Sequence, residues 1–256
     1  MKEGIKMGQL DKKVALITGG GSGIGQAIAE RFAKEGAYVV ITGRREEPLK
    51  QTASTDSKIS YVTGDITNSQ DVEKIMNYIQ DHFHGQLDIL VNNAGWCPVQ
   101  SIKDMTIEDY DQAFALDVRA LVDLTIQSLP LLLKTKGNII NLSSVGAQHT
   151  NYQLSMYVGA KAAVENFTRA WALDLAQDGV RVNAIAPGAI RTNIWNSTNL
   201  SEEEERAHEK RITDTIPVKR FGQAQEVANV ALFLASDEAS YVTGSVYAVD
   251  GGQGSF

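Results

Sequence analysis

Tyr157 and Lys161 lie four residues apart in the stretch SMYVGAK (155–161). Side chains at this spacing are neighbours on a helix, so a phenol and an ammonium can share one site there. Lowering the pKa of a phenol from about 10 to about 7 requires roughly 4 kcal/mol of extra stabilisation of the phenolate. Two unit charges about 4 Å apart at an effective dielectric near 20 interact by about that amount. The pair can therefore form a general acid–base, although the same spacing also occurs on ordinary helix surfaces.

A glycine-rich loop, TGGGSGIG (18–25), follows the first predicted strand and precedes the first predicted helix. Glycines at this place allow a tight turn close to a pyrophosphate, and the helix amino terminus supplies free N–H groups. The spacing is Gly19-x3-Gly23-x-Gly25, and no Gly-Lys-Ser/Thr follows, which argues against a triphosphate-binding loop. The loop predicts a dinucleotide site.

The glycine loop and the Tyr–Lys pair must be positioned by regular elements. Short β-branched runs alternate with segments of helical periodicity, and Gly36 is placed to end the first helix. This alternation predicts the α/β class, a Rossmann-type doubly wound parallel sheet of about seven strands with helices on both faces. The predicted strands are residues 13–20, 37–43, 59–65, 87–95, 137–144, 180–188 and 244–252, and the predicted helices are residues 24–36, 66–83, 107–133, 156–179 and 224–236.

The composition is that of an ordinary globular protein. The 256 residues are 43% hydrophobic and 21% charged, which suits one domain spanning residues 1–256. The net charge of −7 argues against a dedicated nucleic-acid-binding protein. The single cysteine, Cys97, excludes an internal disulfide and a multi-cysteine metal site, and we expect no metal. No signal-peptide core or long apolar run occurs, so we expect a cytoplasmic protein without a membrane span.

One long stretch, residues 190–217, is polar and lacks core periodicity. It contains the acidic run SEEEER (201–206). A charge run of this kind usually forms a solvated helix face. Long polar insertions in compact α/β domains are often functional loops, so a lid over a substrate site is the alternative.

Several motifs occur together in one order, and Ser144 precedes Tyr157 by 13 residues. They are TGGGSGIG (18–25), NNAG (92–95), Ser144, Tyr157 with Lys161, PGAIRT (187–192) and VDGG (249–252). In this respect the chain resembles the short-chain dehydrogenase/reductase family, over about residues 10–252. The resemblance implies an oxidoreductase that moves a hydride between a nicotinamide cofactor and a secondary alcohol or ketone. It also implies self-association, commonly as a homotetramer through the helices predicted at 107–133 and 156–179.

The resemblance assigns roles to the matching residues. Tyr157 is the acid–base, Lys161 also bonds the nicotinamide ribose, and Ser144 holds the substrate oxygen. Ser143 is the weaker candidate, because a strand reverses side-chain direction at each step. The residues expected to bind the cofactor are Gly19, Gly21, Ser22, Gly23, Ile24, Gly25, Arg44, Asp65, Ile66, Asn93, Ala94, Gly95, Tyr157, Lys161, Pro187, Gly188, Ile190 and Thr192.

Asp117 departs from the family pattern. Relatives usually carry an asparagine 24 residues after the NAG asparagine, here Asn93, and its main-chain carbonyl holds a water linked to the lysine. We expect Asp117 to occupy that position in the catalytic set; the alternative is that it only bonds local backbone. A carboxylate there would keep Lys161 cationic and, if close, would raise the pKa of Tyr157, and these two effects oppose each other.

The end of the second strand indicates the cofactor. An acidic residue there would bond the ribose 2′-hydroxyl of NAD and repel a 2′-phosphate. Here Gly43 occupies that place, and Arg44 and Arg45 follow. A guanidinium can bind a phosphate bidentately, so NADP is favoured. NAD stays possible, because both arginines can be solvated or neutralised by the neighbouring acids Glu46 and Glu47.

The substrate pocket is expected to be lined by Trp96, Cys97, residues 147–156 and the segment around Trp195. These groups suit a neutral, medium-sized alcohol or ketone, such as a polyol, a sugar derivative or a cyclic ketone. His149 can bond a substrate hydroxyl, although a lone loop histidine is more often a surface group. Cys97 is expected to pack rather than to act as a nucleophile.

Two other functions stay open at this point. A 3-oxoacyl-[acyl-carrier-protein] reductase would act on an acidic carrier, and the acidic residues Asp178 and SEEEER argue against it. A non-catalytic relative would be expected to lose Ser144, Tyr157 or Lys161, and the chain keeps all three.

Overall fold

The computed structural model describes residues 8–150, 152–192 and 202–255, with the side chains of 202–208 and 255 excepted. Seven parallel strands form one sheet in the order β3-β2-β1-β4-β5-β6-β9. They are β1 (Val14–Thr18), β2 (Tyr38–Gly43), β3 (Ile59–Thr63), β4 (Ile89–Asn92), β5 (Asn138–Leu142), β6 (Arg181–Pro187) and β9 (Val246–Val249). A separate two-stranded pair joins β7 (Ile190–Arg191) to β8 (Gly222–Gln223). The predicted parallel sheet is confirmed.

Helices cover both faces of this sheet. They are α1 (Gly23–Lys34), α2 (Glu46–Ala53), α3 (Ser69–Phe83), α4 (Ile107–Phe114), α5 (Leu121–Thr135), α6 (Ser155–Leu175), α7 (Glu202–Thr215) and α8 (Ala224–Ala235). The alternation of side chains along β1 divides the core. Ala15 and Ile17 pack on the side of α1 and α8, whereas Leu16 packs on the side of α3 and α5.

The topology brings the motifs to one edge of the sheet. The chain adds β2 and β3 on one side of β1 and then returns to place β4 on its other side. Open α/β sheets bind ligands in the crevice at such a switch point, outside the carboxyl ends of the strands. The glycine loop, the NNAG segment, Ser144 and the PGAIRT segment all follow those ends.

Two regions differ from the helices predicted from the sequence. The predicted helix 107–133 is interrupted, because residues Ala115–Ala120 form a π-helical segment between α4 and α5. The short helix α2 was not predicted; its sequence EEPLKQTA carries a proline and few apolar residues. In the polar stretch 190–217, helix α7 supports the interpretation of the acidic run as part of a helix. None of the described helices is long and apolar enough to cross a membrane.

Candidate active site

Tyr157 and Lys161 lie in the first two turns of α6, one turn apart as the spacing predicts. The ammonium Nζ of Lys161 is 5.7 Å from the centroid of the Tyr157 ring. The side chain of Ser144 lies near enough to Tyr157 to lower the pKa of the phenol, and its Oγ accepts a 3.1 Å bond from the amide of Gly146. The neighbouring Ser143 points elsewhere, since its hydroxyl lies 3.1 Å from Oε1 of Glu165. The structure therefore brings Ser144, Tyr157 and Lys161 together.

Lys161 is buried, and its ammonium has two fixed neighbours besides the tyrosine. Nζ donates a 3.1 Å hydrogen bond to the carbonyl of Leu142 at the end of β5. Nζ also lies 3.0 Å from Oδ1 of Asp117 in an ion pair between side chains that are 6% and 1% exposed. Burial alone would lower the pKa of Lys161, but Asp117 and Tyr157 together outweigh it and raise that pKa. The lysine is cationic at neutral pH.

Asp117 is held in place by the irregular backbone around it. It lies within the π-helical segment Ala115–Ala120, where the wider turn interrupts the α-helical bonding pattern. Its Oδ2 accepts a 3.0 Å hydrogen bond from the amide of Trp96, directly after the NNAG segment. A Cβ at Gly95 would lie 2.6 Å from Oδ1, so only glycine fits there. Asp117 therefore bonds both the amide of Trp96 and Lys161, and its place in the catalytic set stays a prediction.

The pKa of Tyr157 differs from the expectation. Burial of the phenol raises this pKa more than the Lys161 charge and the Ser144 side chain lower it, and Cys97 and Asp117 raise it further. The expectation that one lysine is enough to bring the phenol to about neutrality is wrong for the protein alone. Asp117 partly cancels the lysine charge, and desolvation disfavours the phenolate.

The glycine loop fits a pyrophosphate. Gly19 and Gly23 have φ angles of +67° and +58°, which favour glycine. A Cβ at Gly25 would lie 2.4 Å from the carbonyl oxygen of Gly19 and 2.5 Å from Nδ2 of Asn93. Ser22, at the N-cap of α1, makes no capping hydrogen bond with its side chain. The first amides of α1 are thus available to an anion, and the chain around them leaves no room for a larger side chain.

Asn93 and Thr192 bring two other motifs to this loop. The amide of Asn93 donates to the hydroxyl of Thr18 at 2.9 Å, and its Nδ2 donates to the carbonyl of Thr18 at 2.8 Å. A Cβ at Gly23 would lie 3.3 Å from the methyl carbon of Thr192. Gly188 packs against Asp250 of the VDGG motif. A Cβ added at Gly188 would lie 2.7 Å from the Cβ of Asp250. The motifs at the ends of β1, β4 and β6 therefore meet around one crevice.

Asp65 and Ile66 occupy the turn after β3. Asp65 accepts hydrogen bonds from the amide and hydroxyl of Thr67, at 2.9 and 2.8 Å. Its own amide donates to Asp71 at 2.8 Å, and Ile66 is buried. The carboxylate of Asp65 therefore shapes the turn in which Asp65 and Ile66 are expected to bind the cofactor.

Arg44 and Arg45 are exposed immediately after β2. Glu46, which was considered as a neutralising partner, instead accepts a 3.2 Å hydrogen bond from Tyr61 and pairs with Lys50 at 3.1 Å. Lys50 and Tyr61 lower the pKa of Glu46, which is fully exposed. Within the described ranges, no acidic side chain forms an ion pair with either arginine.

The expected substrate residues are only partly described. Trp96 is 38% exposed beside the site, and His149 is exposed on the loop after β5. Trp195 lies outside the described residues. Burial raises the pKa of Cys97 to about 11, with Asp117 adding to the shift and Lys161 opposing it. A thiol with this pKa is a poor nucleophile at neutral pH, which supports its expected packing role.

Comparison with known proteins decides the family. The family model described as "Enoyl-(Acyl carrier protein) reductase" matches residues 19–253. The meso-2,3-butanediol dehydrogenase of Serratia marcescens is 38% identical over 246 residues, 95% of each chain. The chain belongs to the short-chain dehydrogenase/reductase family. A 3-oxoacyl-[acyl-carrier-protein] reductase of Thermotoga maritima is 36% identical, over 95% of this chain and 98% of its own. An L-fucose dehydrogenase of Bos taurus is 38% identical, over 94% of this chain and 88% of its own.

As a short-chain dehydrogenase/reductase, the protein is an oxidoreductase that uses a nicotinamide cofactor and acts on CH–OH groups, interconverting secondary alcohols and ketones. Among the described residues, no cluster of histidine, cysteine and acidic side chains could hold a metal ion.

Sequence reasoning missed the polar residues that brace this short-chain dehydrogenase/reductase site from below. Nδ2 of Asn92 donates to Oδ1 of Asn141 at 2.9 Å, and Nδ2 of Asn141 donates to the hydroxyl of Thr168 at 2.9 Å, which ties β4 and β5 to α6. The buried Glu165 of α6 binds the loop that carries Ser144. An asparagine or glutamate inside an otherwise apolar strand or helix was the available signal.

Proposed function

We propose that Tyr157 is the general acid–base of this enzyme, with Ser144, Lys161 and Asp117 as its partners. The observation that carries the proposal is the placement of the Tyr157 phenol 5.7 Å, at its ring centroid, from the Lys161 ammonium and beside the Ser144 side chain, at the switch point of the sheet. Two hydroxyls meet where a substrate oxygen can be bound. Ser144 holds that oxygen, and Tyr157 gives it a proton or takes one from it.

The crevice around the glycine loop would hold the cofactor. When bound, it would supply a hydride to the carbonyl carbon of a ketone or take one from the carbinol carbon of an alcohol. The free amides at the start of α1 would bind its pyrophosphate, and the Lys161 ammonium would bond its ribose hydroxyls. Asn93 braces the loop through Thr18, and Thr192 covers the amino end of α1 beside Gly23.

NADP is the preferred cofactor in this proposal. Arg44 and Arg45 are exposed at the end of β2, and their acidic neighbour Glu46 is engaged by Lys50 and Tyr61. A guanidinium–phosphate pair contributes about 1.5–3 kcal/mol, so replacing Arg44 by alanine weakens NADPH by roughly 10- to 100-fold and changes NADH much less. Titrations of both cofactors, followed by tryptophan fluorescence, measure this. Equal weakening of the two would argue against the preference, and Lys34→Ala, which removes an exposed cation from the far end of α1, is the control.

The proposed substrate is a small neutral alcohol or ketone. The butanediol and fucose dehydrogenases among the relatives act on such molecules according to their names. The acidic helix α7 lies at the same edge, because Glu209 pairs with Arg191 directly after Ile190. We propose that residues 190–217 act as a lid over the site. The acidic α7 would repel an acidic carrier protein, although the Thermotoga relative keeps a 3-oxoacyl-carrier reductase as the second candidate.

A turnover panel tests the reaction and the substrate class together. It contains meso-2,3-butanediol, L-fucose, D-glucose and a 3-oxoacyl-[acyl-carrier-protein], each with both cofactors. Tyr157→Phe retains cofactor binding and loses turnover on every active compound, because the phenylalanine has no proton to exchange. Undiminished turnover by this variant would refute the assignment of Tyr157. Activity on the carrier-bound compound alone would select the second candidate.

Self-association as a homotetramer is proposed through α5 and α6. Large apolar side chains are exposed there: Ile126 is 62% exposed and Leu173 is 81% exposed. Such residues are typical of subunit interfaces. Light scattering on the purified protein measures the subunit number, and a monomeric mass would overturn the proposal.

A further inference from the structure

Glu165 is a buried acid that the proposed mechanism does not use. It lies on α6, one turn after Lys161 and two turns after Tyr157, and it is 3% exposed. Its carboxylate accepts three hydrogen bonds, all at 3.1 Å. The donors are the hydroxyl of Ser143 to Oε1, and Nε2 of Gln148 and a guanidinium nitrogen of Arg169 to Oε2.

Two of these donors lie at the two ends of residues 143–148, which we call the Ser144 loop. Ser143 precedes Ser144, and Gln148 follows the 3-10 turn Val145–Ala147. A single carboxylate on α6 therefore binds both ends of a loop that also carries the Ser144 hydroxyl, which lies beside Tyr157. The third donor, Arg169, is 47% exposed at its side chain and balances the charge from the solvent side.

We propose that Glu165 is a positioning residue that sets Ser144 against Tyr157 by holding both ends of the Ser144 loop. This inference rests on the proposed role of Ser144. It adds the element that fixes the distance between the two hydroxyls, because α6 carries both Tyr157 and the carboxylate that binds the loop.

The chemistry at this position requires a carboxylate. An ionised carboxylate accepts at both oxygens, whereas a glutamine offers one acceptor oxygen and an NH₂ group that repels donors. In Glu165→Gln at least one of the three donors loses its acceptor. The Ser143 hydroxyl already has a second acceptor, the carbonyl of Lys161 at 3.3 Å. The two bonds to Oε2, from Gln148 and Arg169, lose their charge assistance in this variant, so the Gln148 end of the loop is expected to loosen.

A double-mutant cycle with Ser144→Ala separates positioning from general stability. Glu165→Gln is measured alone and in the Ser144→Ala background, with the most active alcohol of the panel above and NADP⁺ or NAD⁺. Gln148→Met, which removes only the distal donor, is measured in the same way. Arg169→Met is the control, since it removes a partner of Glu165 that does not belong to the loop. Thermal melting and NADPH titration accompany each variant.

We expect Glu165→Gln and Gln148→Met to lower kcat by about tenfold or more, because a small misplacement of a catalytic group costs this much. NADPH binding stays within about twofold. In the Ser144→Ala background the same changes cost less than about twofold, because the group they position is gone. Arg169→Met keeps kcat within about twofold even where it lowers the melting temperature.

Three results would overturn the inference. One is an equal loss of kcat in both backgrounds, which would indicate a merely structural role. Another is a loss of kcat in Arg169→Met as large as that in Gln148→Met. The third is full activity in the single variant Ser144→Ala. This result would refute the proposed role of Ser144 itself, and it is seen before the double variants are measured. If Glu165→Gln does not fold, the Gln148→Met cycle decides alone.

Discussion

Replacing Asp117 by asparagine changes the charge around the proposed acid–base without removing a group that touches the substrate. The Asp117 carboxylate pairs with Lys161 at 3.0 Å and raises the pKa of Tyr157, in addition to the larger effect of burial. In Asp117→Asn the lysine charge acts on the phenol without an opposing acid. We therefore expect the pKa of Tyr157 to fall, and the rise of kcat with pH in alcohol oxidation, which requires the phenolate, to move to lower pH.

The structure gives the size of this shift. Nζ of Lys161 is 5.7 Å from the ring centroid and 3.0 Å from the carboxylate, which places the carboxylate within about 9 Å of the ring. A unit charge at that distance and an effective dielectric near 20 contributes about 2 kcal/mol, a little more than one pKa unit. The expected shift is therefore about one pH unit.

One effect opposes this shift. Burial by itself lowers the pKa of Lys161, and Asp117 opposes that effect. If the lysine lost its proton in Asp117→Asn, the pKa of Tyr157 would rise. We expect the lysine to stay charged, because the carbonyl of Leu142 accepts a 3.1 Å bond from Nζ and remains in place.

The assay is the pH dependence of kcat for alcohol oxidation, measured for both proteins at saturating cofactor. Asp111→Asn is the control, because it removes the same charge from an exposed position on α4. The control profile should coincide with that of the unmodified protein. No displacement in Asp117→Asn, or a displacement to higher pH, would refute the electrostatic reasoning. Asparagine also has one acceptor for two donors here, so melting curves must accompany the profiles.

Two further predictions concern glycine substitutions at Gly25 and Gly159 and the charge of Glu226 in the first turn of α8. Gly25→Ala should abolish cofactor binding, because its Cβ would lie 2.4 Å from the carbonyl oxygen of Gly19. A Cβ at Gly159 meets nothing within 4 Å, so Gly159→Ala should keep cofactor binding and stabilise α6 by up to about 1 kcal/mol. Titration and melting compare the two alanine variants, and retained binding by Gly25→Ala would contradict the first. The pKa of Glu226 is lowered to about 2, chiefly by Arg220, so its contribution to stability is present above its ordinary pKa of 4.5 and is lost as the pH falls toward 2. Glu226→Gln should therefore be less stable than the unmodified protein at pH 7, by about 1 kcal/mol at this exposed cap, and equally stable near pH 2; a difference independent of pH in urea unfolding would contradict this.

The sheet and the location of the candidate site residues in it could be predicted from the sequence for a physical reason. Parallel strands buried on both faces appear as apolar runs, and ligand-binding loops follow their carboxyl ends. The glycine loop, Ser144 and Tyr157 could therefore be placed at one edge before their contacts were known. Asp117 could also be identified, because its place was counted from a motif rather than deduced from its surroundings.

Features that depend on several distant residues could not be predicted. The π-helical segment Ala115–Ala120 interrupts a continuous helical pattern, and nothing in the apolar spacing marks it. The bond between Gln148 and Glu165 joins residues 17 positions apart, so it exists only after α6 packs beside β5. Helix α2 is short and polar, and it depends on packing of Leu49 in the core more than on helix propensity.

The direction of the Tyr157 pKa shift also depends on several distant residues, so the sequence did not predict it. Its spacing from Lys161 predicts attraction between the phenolate and the ammonium, but the pKa depends on burial and on a third charge contributed by Asp117. In the protein alone this balance favours the protonated phenol, which is the form that donates a proton to a carbonyl oxygen. Alcohol oxidation requires the opposite form, so it depends more strongly on whatever stabilises the phenolate. Because Asp117 removes part of that stabilisation, the residue that keeps the lysine cationic also favours the protonated acid needed for ketone reduction.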